Sequence, residues 1–499
     1  MIIHIMIIKI IIHTNQRFFM RFYNREEELH EIRLLRNAMP SMVVLTGRRR
    51  VGKTEIINNF LKNEKGVYFF VDNGKSEKLL IREFSDQLKD CFGMEDYIVI
   101  KKWETLLQFI FDIGQEQEII VCIDEFQRLL DINPSVINQI QKHWDISSAG
   151  SQIFFIISGS SVGMMKRIFI DNKAPLFKRA QNILFIEPFD QGTIYHVLDD
   201  LGITDPTDKI ELYALFGGMI HYYTLFEYYD VKCIEDAIDK LILRRFAPLN
   251  NEVRNTMIEA FGREHRTYYS ILSAIALGKS SKSEISDFVD VKVTSLSTYL
   301  DGLINIMGLV HREVPVTEPK PNRSKKGRYL LNDNFFKFWF RFIFRNMSYY
   351  ESGNFKKIAK KVKVEFDSFV GKNFEVICRE LLIKLNSHDK LPFEFDRIGS
   401  WWNRKGDEID IVALNSKTNE ILFAECKWRS KAVDITVVED LRKKASIVDW
   451  RAGRRDEYFA VFSKTGFSKS CLEYCKKNGV LTFDAEDIVG SIVQRMEIG

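Results

Sequence analysis

The segment Leu45-Thr46-Gly47-Arg48-Arg49-Arg50-Val51-Gly52-Lys53-Thr54 is the most informative part of the sequence. It fits the pattern G-x-x-x-x-G-K-T. An apolar run that ends at Leu45 precedes it, and a helix-like pattern begins at Glu55. A strand, a glycine-rich turn and a helix start form the context in which this pattern makes a phosphate-binding P-loop. We therefore expect the backbone N–H groups of the turn and the positive end of the helix to bind a phosphate.

Two side chains of this loop have specific expected roles. Lys53 would reach the β- and γ-phosphates of a nucleotide, and the Thr54 hydroxyl would hold Mg²⁺. The residues expected to bind the nucleotide are Gly47, Arg48, Arg49, Arg50, Val51, Gly52, Lys53 and Thr54.

A second apolar run ends in two carboxylates. Residues 119–123 are Ile-Ile-Val-Cys-Ile, and Asp124 and Glu125 follow them. In open α/β sheets, ligands bind at the carboxyl ends of such buried parallel strands. This pattern indicates a Walker B motif, in which Asp124 would hold the Mg²⁺ shell and Glu125 would orient or deprotonate the attacking water.

Composition bounds the class of protein. A chain of 499 residues is too long for one core and suggests roughly three or four domains. The net charge of +4 is too small to indicate nucleic-acid binding by itself, so that case depends on local basic patches. Seven cysteines lie scattered without a C-x-x-C pair, which favours a reducing, cytoplasmic location.

The N-terminal extension, residues 1–20, begins with an almost wholly apolar run from Met1 to His13. That run is shorter than the ~20 residues of a membrane-spanning helix and lacks the features of a signal peptide, so no membrane association is expected. Either it forms an extra strand, or the functional chain starts at Met20; we favour the second slightly.

The segment Phe22 to Leu29, with the pattern F-x-x-R-E-x-E-L, extends the P-loop into a family signature. Together the two resemble the archaeal ATPase family of the AAA+/STAND lineage. The resemblance implies an α/β P-loop core over residues 21–190 that binds ATP and Mg²⁺. It also implies that the F-x-x-R-E-x-E-L segment lies near the adenine; from spacing alone it would be an ordinary charged amphipathic helix.

The same resemblance suggests two further residues of the nucleotide site. A polar residue at the end of the strand 153–157 would sense the γ-phosphate, and Ser158 or Ser160 stands there, with Ser158 the first choice. The segment Ala174 to Arg179 resembles a P-L-x-x-R motif, so that Arg179 would stabilise transition-state charge. Whether it would act within its own chain or in a neighbouring copy of a homo-oligomer is open, as is a role in a structural ion pair.

Residues 191–255 are expected to form a helical lid over the nucleotide. Within it, Phe216 to Tyr223 resembles a G-G-x-P-x-Y segment, with Ile220 in place of the proline.

Residues 256–349 have the order of a winged helix, three helical patterns followed by two apolar segments that can pair. The third helix exposes no Arg or Lys, which argues against base readout by that helix. The loop between the two apolar segments is basic, and such a flexible wing would neutralise DNA phosphates without reading sequence. Its basic residues are Lys320, Arg323, Lys325, Lys326 and Arg328.

Residues 350–499 follow the order helix, three strands, helix, strand, helix, strand. Alternation along the strands places Glu425 and Lys427 on one face, and turns Asp410 away from both Ile409 and Ile411. The pattern closely resembles the PD-(D/E)xK signature of restriction-endonuclease-like nucleases, with Glu375 as the helical acid. The resemblance implies that Asp410 and Glu425 hold Mg²⁺ and that Lys427 positions or deprotonates a water.

The sequence thus supports two hypotheses. The first is an ATP-driven DNA-processing enzyme with a Mg²⁺-dependent nuclease domain. The second is a STAND-type switch with slow ATP turnover, whose nuclease-like domain docks partners or DNA without cutting.

Overall fold

A computed structural model of the protein describes residues 21–93, 99–261 and 265–493. The expected extension at residues 1–20 lies outside the described residues. In the described part of the chain, no helix is both long and apolar enough to span a membrane.

The first unit is a five-stranded, wholly parallel sheet with the strand order β2-β3-β4-β1-β5. Its strands are β1 (Ser41–Thr46), β2 (Gly66–Phe70), β3 (Ile119–Asp124), β4 (Ile153–Gly159) and β5 (Asn182–Phe185). Its helices are α1 (Glu26–Arg36), α2 (Lys53–Leu61), α3 (Glu77–Phe92), α4 (Trp103–Glu116), α5 (Leu129–Ile132), α6 (Ser135–Ser147) and α7 (Val162–Phe169). This architecture confirms the predicted α/β fold class.

The buried strands explain why the sequence is so informative here. Every residue of β1, β3 and β4 is buried, because apolar clusters cover both faces of the sheet. In the strand order β4 separates β1 from β3. Because all the strands are parallel, their carboxyl ends lie at the same edge of the sheet. The P-loop after β1 and the carboxylates after β3 are therefore close together, on either side of the end of β4.

Four helices follow in the segment expected to be a lid. They are α8 (Gln191–Asp200), α9 (Pro206–Phe216), α10 (Ile220–Tyr229) and α11 (Ile234–Leu241). Asp190 accepts a hydrogen bond from the backbone N–H of Thr193, and Asp205 caps α9, which begins with a proline.

The next segment has the predicted order of helices and hairpin. It contains α12 (Glu252–Phe261), α13 (His265–Ala276), α14 (Lys282–Val289) and α15 (Val293–Asp301), and then the antiparallel strands β6 (Val310–Glu313) and β7 (Arg328–Leu331). The expected flexibility of the loop between these strands is wrong. Val316 is buried and its N–H donates to the Ser400 carbonyl (3.0 Å), while Arg397 donates to the Glu318 carbonyl (3.0 Å). The loop is anchored on the C-terminal unit.

The C-terminal unit is a mixed five-stranded sheet with the order β12-β11-β10-β9-β8. It is preceded by α16 (Asn334–Phe338), α17 (Met347–Glu351) and the long α18 (Phe355–Asn386). Its other elements are β8 (Arg397–Trp402), β9 (Glu408–Asn415), β10 (Glu420–Lys427), α19 (Ile435–Ile447), β11 (Asp456–Ser463), α20 (Lys469–Lys477), β12 (Val480–Phe483) and α21 (Ala485–Val493). From α18 onward, the predicted order of helices and strands is found.

The segments after the first sheet share one apolar core. A single cluster of buried side chains runs from Phe189 in the chain to Ile492 and includes residues of the lid, the hairpin segment and the last sheet. Helix α9 packs against α18, where Asn373 donates to the Ala214 carbonyl (3.0 Å). The boundaries expected at residues 255 and 349 therefore do not separate independent cores.

Candidate functional site

The P-loop turns tightly against the strand beside it. A Cβ on Gly47 would lie 2.3 Å from the carbonyl oxygen of Ile186, so no larger residue fits. Gly52 has a φ of +103°, a left-handed conformation that favours glycine. These two glycines allow the backbone to pass from β1 into α2 as the motif predicts.

Lys53 lies inside this loop. Its ammonium donates to the carbonyl oxygens of Gly47 (2.9 Å) and Arg48 (3.0 Å), and the residue is 5% exposed. Burial lowers the pKa of Lys53 to about 8, against the opposing influence of Glu125 and Asp124. The amine is held at the centre of the turn that is expected to surround a phosphate.

Asp124 lies directly beside the start of α2. Its Oδ2 accepts hydrogen bonds from the Thr54 hydroxyl (2.9 Å) and the Tyr68 hydroxyl (2.6 Å). Its Oδ1 accepts from the Glu125 backbone N–H (2.9 Å). Adjacent hydroxyl and carboxylate oxygens suit Mg²⁺, which usually takes one or two carboxylates and completes its shell with phosphates and water.

Glu125 adopts a left-handed backbone conformation, with a φ of +56°. Its Oε2 accepts from the Ser160 hydroxyl (2.8 Å) and the Gln127 amide (2.7 Å), and lies 3.4 Å from Nε of Arg128. Ser158, the first choice for the sensor, is completely buried in β4, and its hydroxyl has no partner among the described residues. Of the two serines considered, Ser160 is the one that contacts the acidic pair.

Sequence reasoning missed Gln127 and Arg128. Both belong to the short turn after Glu125, and their proximity to the Asp-Glu pair was the available signal.

Arg179 lies elsewhere in the first unit. Its guanidinium forms two hydrogen bonds to Asp145 in α6 (2.8 and 2.7 Å), and it does not line the cleft beside the P-loop. The structure therefore places it in a structural ion pair within its own chain. A role toward a neighbouring copy stays a prediction.

The cleft beside the P-loop has a volume of about 720 Å³, within the range of small-molecule sites. It is lined by the segment that precedes α1, by the P-loop, by Arg128 and by helix α10. Arg25, the arginine of the F-x-x-R-E-x-E-L segment, holds these parts together. It donates to the carbonyls of Glu187 (2.7 Å) and Val51 (3.2 Å) and lies over the Phe189 ring (4.1 Å).

The paired glycines of the lid segment explain how α10 reaches the cleft. A Cβ on Gly218 would lie 1.8 Å from the Phe189 carbonyl oxygen, whereas the Phe189 N–H donates to the Gly218 carbonyl (2.9 Å). Ile220 begins α10 and approaches Gly52 of the P-loop. Burial lowers the pKa of His221, which lines the cleft, to about 4, helped by the cationic Arg50 and Arg49.

Two arginines of the P-loop form ion pairs with distant parts of the chain. Arg48 pairs with Asp333, the residue that caps α16, and Arg50 pairs with Glu252 at the start of α12. The sequence offered no signal for either pair, because the partners lie hundreds of residues further on. The loop expected to bind phosphate is thus connected to the downstream unit.

A second group of ionisable residues lies in the C-terminal unit. Glu375 from α18, Asp410 from β9, and Glu425 and Lys427 from β10 are brought together there, as the sequence predicted. Burial raises the pKa of Glu375 and so does the charge of Asp410; burial and Glu425 raise that of Asp410. The Glu425 carboxylate accepts from Lys427 Nζ (2.5 Å), and Asp410 accepts from the Cys426 N–H (2.8 Å).

A β-bulge positions Asp410. The pairing of β8 with β9 shifts register between Gly399 and Trp401, so that β9 contains an extra residue there. Ile409 and Ile411 consequently pack in different apolar clusters on the two sides of the sheet. The expectation that Asp410 faces away from both isoleucines is therefore wrong, because it assumed unbroken alternation.

Two further contacts of this cluster were not predicted. Lys444 from α19 donates to both oxygens of Glu425 (3.0 and 3.1 Å). On the opposite side, Glu408 lies 3.3 Å from Arg328 of the basic loop and 3.9 Å from Lys372, which in turn pairs with Glu375 (2.9 Å). In the part of the chain that is described, no three His, Cys, Asp or Glu residues are grouped closely enough to hold a metal ion alone.

Comparison with known proteins supports an ATPase in the first unit. Residues 22–224 match a family model described as an ATPase domain predominantly from Archaea. Residues 339–439 match a model described as "Archaea bacterial proteins of unknown function".

Similar whole chains were found in both sequence and structure. The chain is 33% identical over 473 residues to the uncharacterized protein MJECL04 of Methanocaldococcus jannaschii, in an alignment that spans 93% of this chain and 99% of that protein. The structure resembles the Walker-type ATPase PABY2304 of Pyrococcus abyssi, with a TM-score of 0.52 and 20% identity over 65% of this chain and 99% of the other. The ORC2 protein of Aeropyrum pernix aligns with a TM-score of 0.43 and 16% identity over 65% and 94%. The chain therefore belongs to the same family as MJECL04, and with its archaeal-type ATPase domain it is an ATPase.

Proposed function

We propose that the protein is an ATP-driven DNA-processing enzyme, in which the nucleotide state of the first unit controls a Mg²⁺-dependent nuclease in the C-terminal unit. The observation that carries this proposal is the convergence of Glu375, Asp410, Glu425 and Lys427 at one end of the C-terminal sheet. These residues come from three different elements, and a bulge is needed to place one of them. Such bulges are common next to active sites.

The proposed roles at the nucleotide site follow from its contacts. Lys53 would bind the β- and γ-phosphates, while Thr54 and Asp124 would hold Mg²⁺. Glu125, oriented by the hydroxyl of Ser160, would position or deprotonate the attacking water. The F-x-x-R-E-x-E-L segment and α10 line the cleft and would enclose the base and sugar.

The proposed nuclease site is suited to a divalent cation. The charge of Glu425 disfavours the charged form of Asp410, and a cation between the two carboxylates would relieve that repulsion. They would hold Mg²⁺, which supplies a Lewis acid for the scissile phosphate. Lys427 would position the attacking water, and Glu375 would bind or orient it from α18.

The position of the basic loop supports DNA as the substrate. We propose that residues 256–349 form a winged helix whose wing is this loop. Arg328 of the wing pairs with Glu408, immediately beside the carboxylate cluster. Lys320, Arg323 and Lys325 are exposed on the same loop and would contact phosphates without reading sequence.

The test of the nuclease measures cleavage of linear, branched and single-stranded DNA by the purified full-length chain. Each DNA is incubated with Mg²⁺ or Mn²⁺, both with and without ATP. Cleavage by the wild type should be abolished in Asp410→Ala and in Lys427→Ala. The matched controls are Asp440→Ala and Lys443→Ala, which remove the same side-chain types from an exposed ion pair of α19 and should cut normally. Absence of cleavage of every substrate would refute the nuclease.

The test of the ATPase site compares Lys53→Ala with Lys65→Ala. Lys53 is buried in the P-loop, whereas Lys65 is exposed beyond the end of α2 and does not line the cleft. Phosphate release should be abolished only in the first variant, and turnover by Lys53→Ala would contradict the assignment of the loop.

One observation favours the second hypothesis, a slow STAND-type switch with a silent nuclease-like domain. Both Lys427 and Lys444 bind the Glu425 carboxylate, so that its charge is neutralised without a metal. If the group is purely structural, Lys444→Ala should lower the stability of the C-terminal unit, and neither the wild type nor any variant of the cluster should cut DNA.

A further inference from the structure

A second cleft, with a volume of about 980 Å³, lies where the end of the lid meets the residues that lead into α18. Its described lining includes three arginines, Arg245, Arg254 and Arg266, but only one acidic side chain, Glu351. None of the three forms an ion pair with any residue that the structure describes. Guanidinium groups without carboxylate partners in a cleft favour an anionic ligand.

The wall of this cleft is aromatic. Tyr269, Trp339, Phe344 and Tyr350 line it. The indole N–H of Trp339, a residue that is 4% exposed, has no acceptor within the described ranges. A flat apolar ligand that also accepts a hydrogen bond would suit this wall.

Two exposed aromatic rings are next in the chain to residues that line the cleft, Arg245 and Tyr350. Phe246 directly follows the lining residue Arg245 in the chain; it is 81% exposed, with the Arg245 guanidinium 5.6 Å from its ring centre. Tyr349 is 37% exposed, and the ammonium groups of Lys357 and Lys361 lie 4.6 and 5.7 Å from its ring centre. Each of these two exposed rings is accompanied by a cation.

We propose that this cleft and its rim bind single-stranded DNA. Arginine and lysine side chains would neutralise successive phosphates, while Phe246 and Tyr349 would stack on unpaired bases. A duplex would not suit the surface, because its bases are already stacked on one another. This inference rests on the proposed DNA partner, but not on cleavage, and the lining of the cleft includes no residue of the basic wing among those described.

The test measures fluorescence anisotropy of a labelled oligo-dT of about 20 nucleotides with the full-length chain in EDTA, which prevents cleavage. Phe246→Ala should weaken binding roughly 10-fold because a stacking ring is removed. The double variant Arg254→Gln/Arg266→Gln should lower the slope of log affinity against log salt by roughly 0.7 for each phosphate that is no longer neutralised. Phe185→Ala and Arg82→Gln are the controls, since Phe185 and the Arg82 side chain are 47% and 80% exposed in the first unit; both should bind like the wild type.

ATP turnover by each variant verifies that it is folded. Wild-type affinity in the cleft variants, or failure of the wild type to bind oligo-dT, would overturn the inference. If the chain cleaves duplex DNA but does not bind oligo-dT, the proposal that the cleft binds single-stranded DNA is refuted, and the proposed nuclease is not. Conversely, the wild type could bind oligo-dT more tightly than the cleft variants do and yet cleave no DNA. That result would support binding of single-stranded DNA by the cleft and refute only the proposed nuclease.

Discussion

Arg25→Ala is expected to loosen the P-loop, because this side chain joins Val51 of the loop to Glu187 and Phe189. Losing the 2.7 Å bond to the Glu187 carbonyl should cost about 1.5–2 kcal/mol, since the donor is charged and the arginine is buried. The longer bond to Val51, at 3.2 Å, should cost about 1 kcal/mol. The contact with the Phe189 ring, at 4.1 Å, should add about 1 kcal/mol.

These contributions amount to about 3.5–4 kcal/mol of local stability. Hydrogen exchange followed by mass spectrometry measures local opening directly, which suits a chain with several structural units. Peptides that cover residues 47–61 should exchange roughly 100- to 1,000-fold faster in Arg25→Ala than in the wild type. The Michaelis constant for ATP should rise as well, because the loop must be ordered again when the nucleotide binds.

The matched control is Arg33→Ala, an exposed arginine on α1. It removes the same type of side chain from a neighbouring position and should leave the exchange of the P-loop peptides unchanged. Arg25→Lys keeps the positive charge but lacks the planar guanidinium group, so the P-loop peptides should exchange at a rate between those of the wild type and Arg25→Ala. Wild-type exchange in Arg25→Ala would refute the idea that this arginine stabilises the loop.

Four other substitutions test individual contacts of the first unit. Ser160→Ala should lower kcat for ATP hydrolysis roughly 10-fold, because a charge-assisted hydrogen bond to Glu125 is lost. Ser158→Ala should change kcat by less than about 2-fold. Equal effects of the two substitutions would contradict the assignment of Ser160, rather than Ser158, to the nucleotide site. Arg179→Ala should not change phosphate release at low protein concentration, where chains act alone, since the residue pairs with Asp145; a loss of activity there would contradict this. Asp333→Asn keeps a side chain that can cap α16 but removes the charge that pairs with Arg48, so a fluorescent ATP analogue should bind about 5-fold more tightly. Unchanged or weaker binding would show that the pair does not compete with the nucleotide.

What the sequence could predict was set by local patterns. Continuous apolar runs predicted β1, β3 and β4, because strands covered on both faces have no polar alternation. The glycine spacing predicted the loop, since close approach to Ile186 and a left-handed φ leave little choice of residue. The convergence of Asp410 with Glu425 followed from the expected hairpin of β9 and β10.

The features that escaped prediction depend on partners distant in the chain. The bulge at Asp410 exists only because β8 pairs out of step with β9. Lys444 reaches Glu425 from a helix whose packing angle has no local signal. The basic loop was expected to be flexible because its composition is polar, but Val316 anchors it by packing on the last sheet.

The shared core downstream of the first sheet has a mechanical consequence. Helix α18, with 32 residues, is about 48 Å long, and Glu375 lies about 30 Å from its first residue. Since α9 of the lid packs on α18, a lid that tilts during ATP turnover would rotate this helix about its N-terminal end. A rotation of about 5° at its start would move Glu375 by about 2–3 Å. That displacement is enough to make or break a hydrogen bond at the carboxylate cluster.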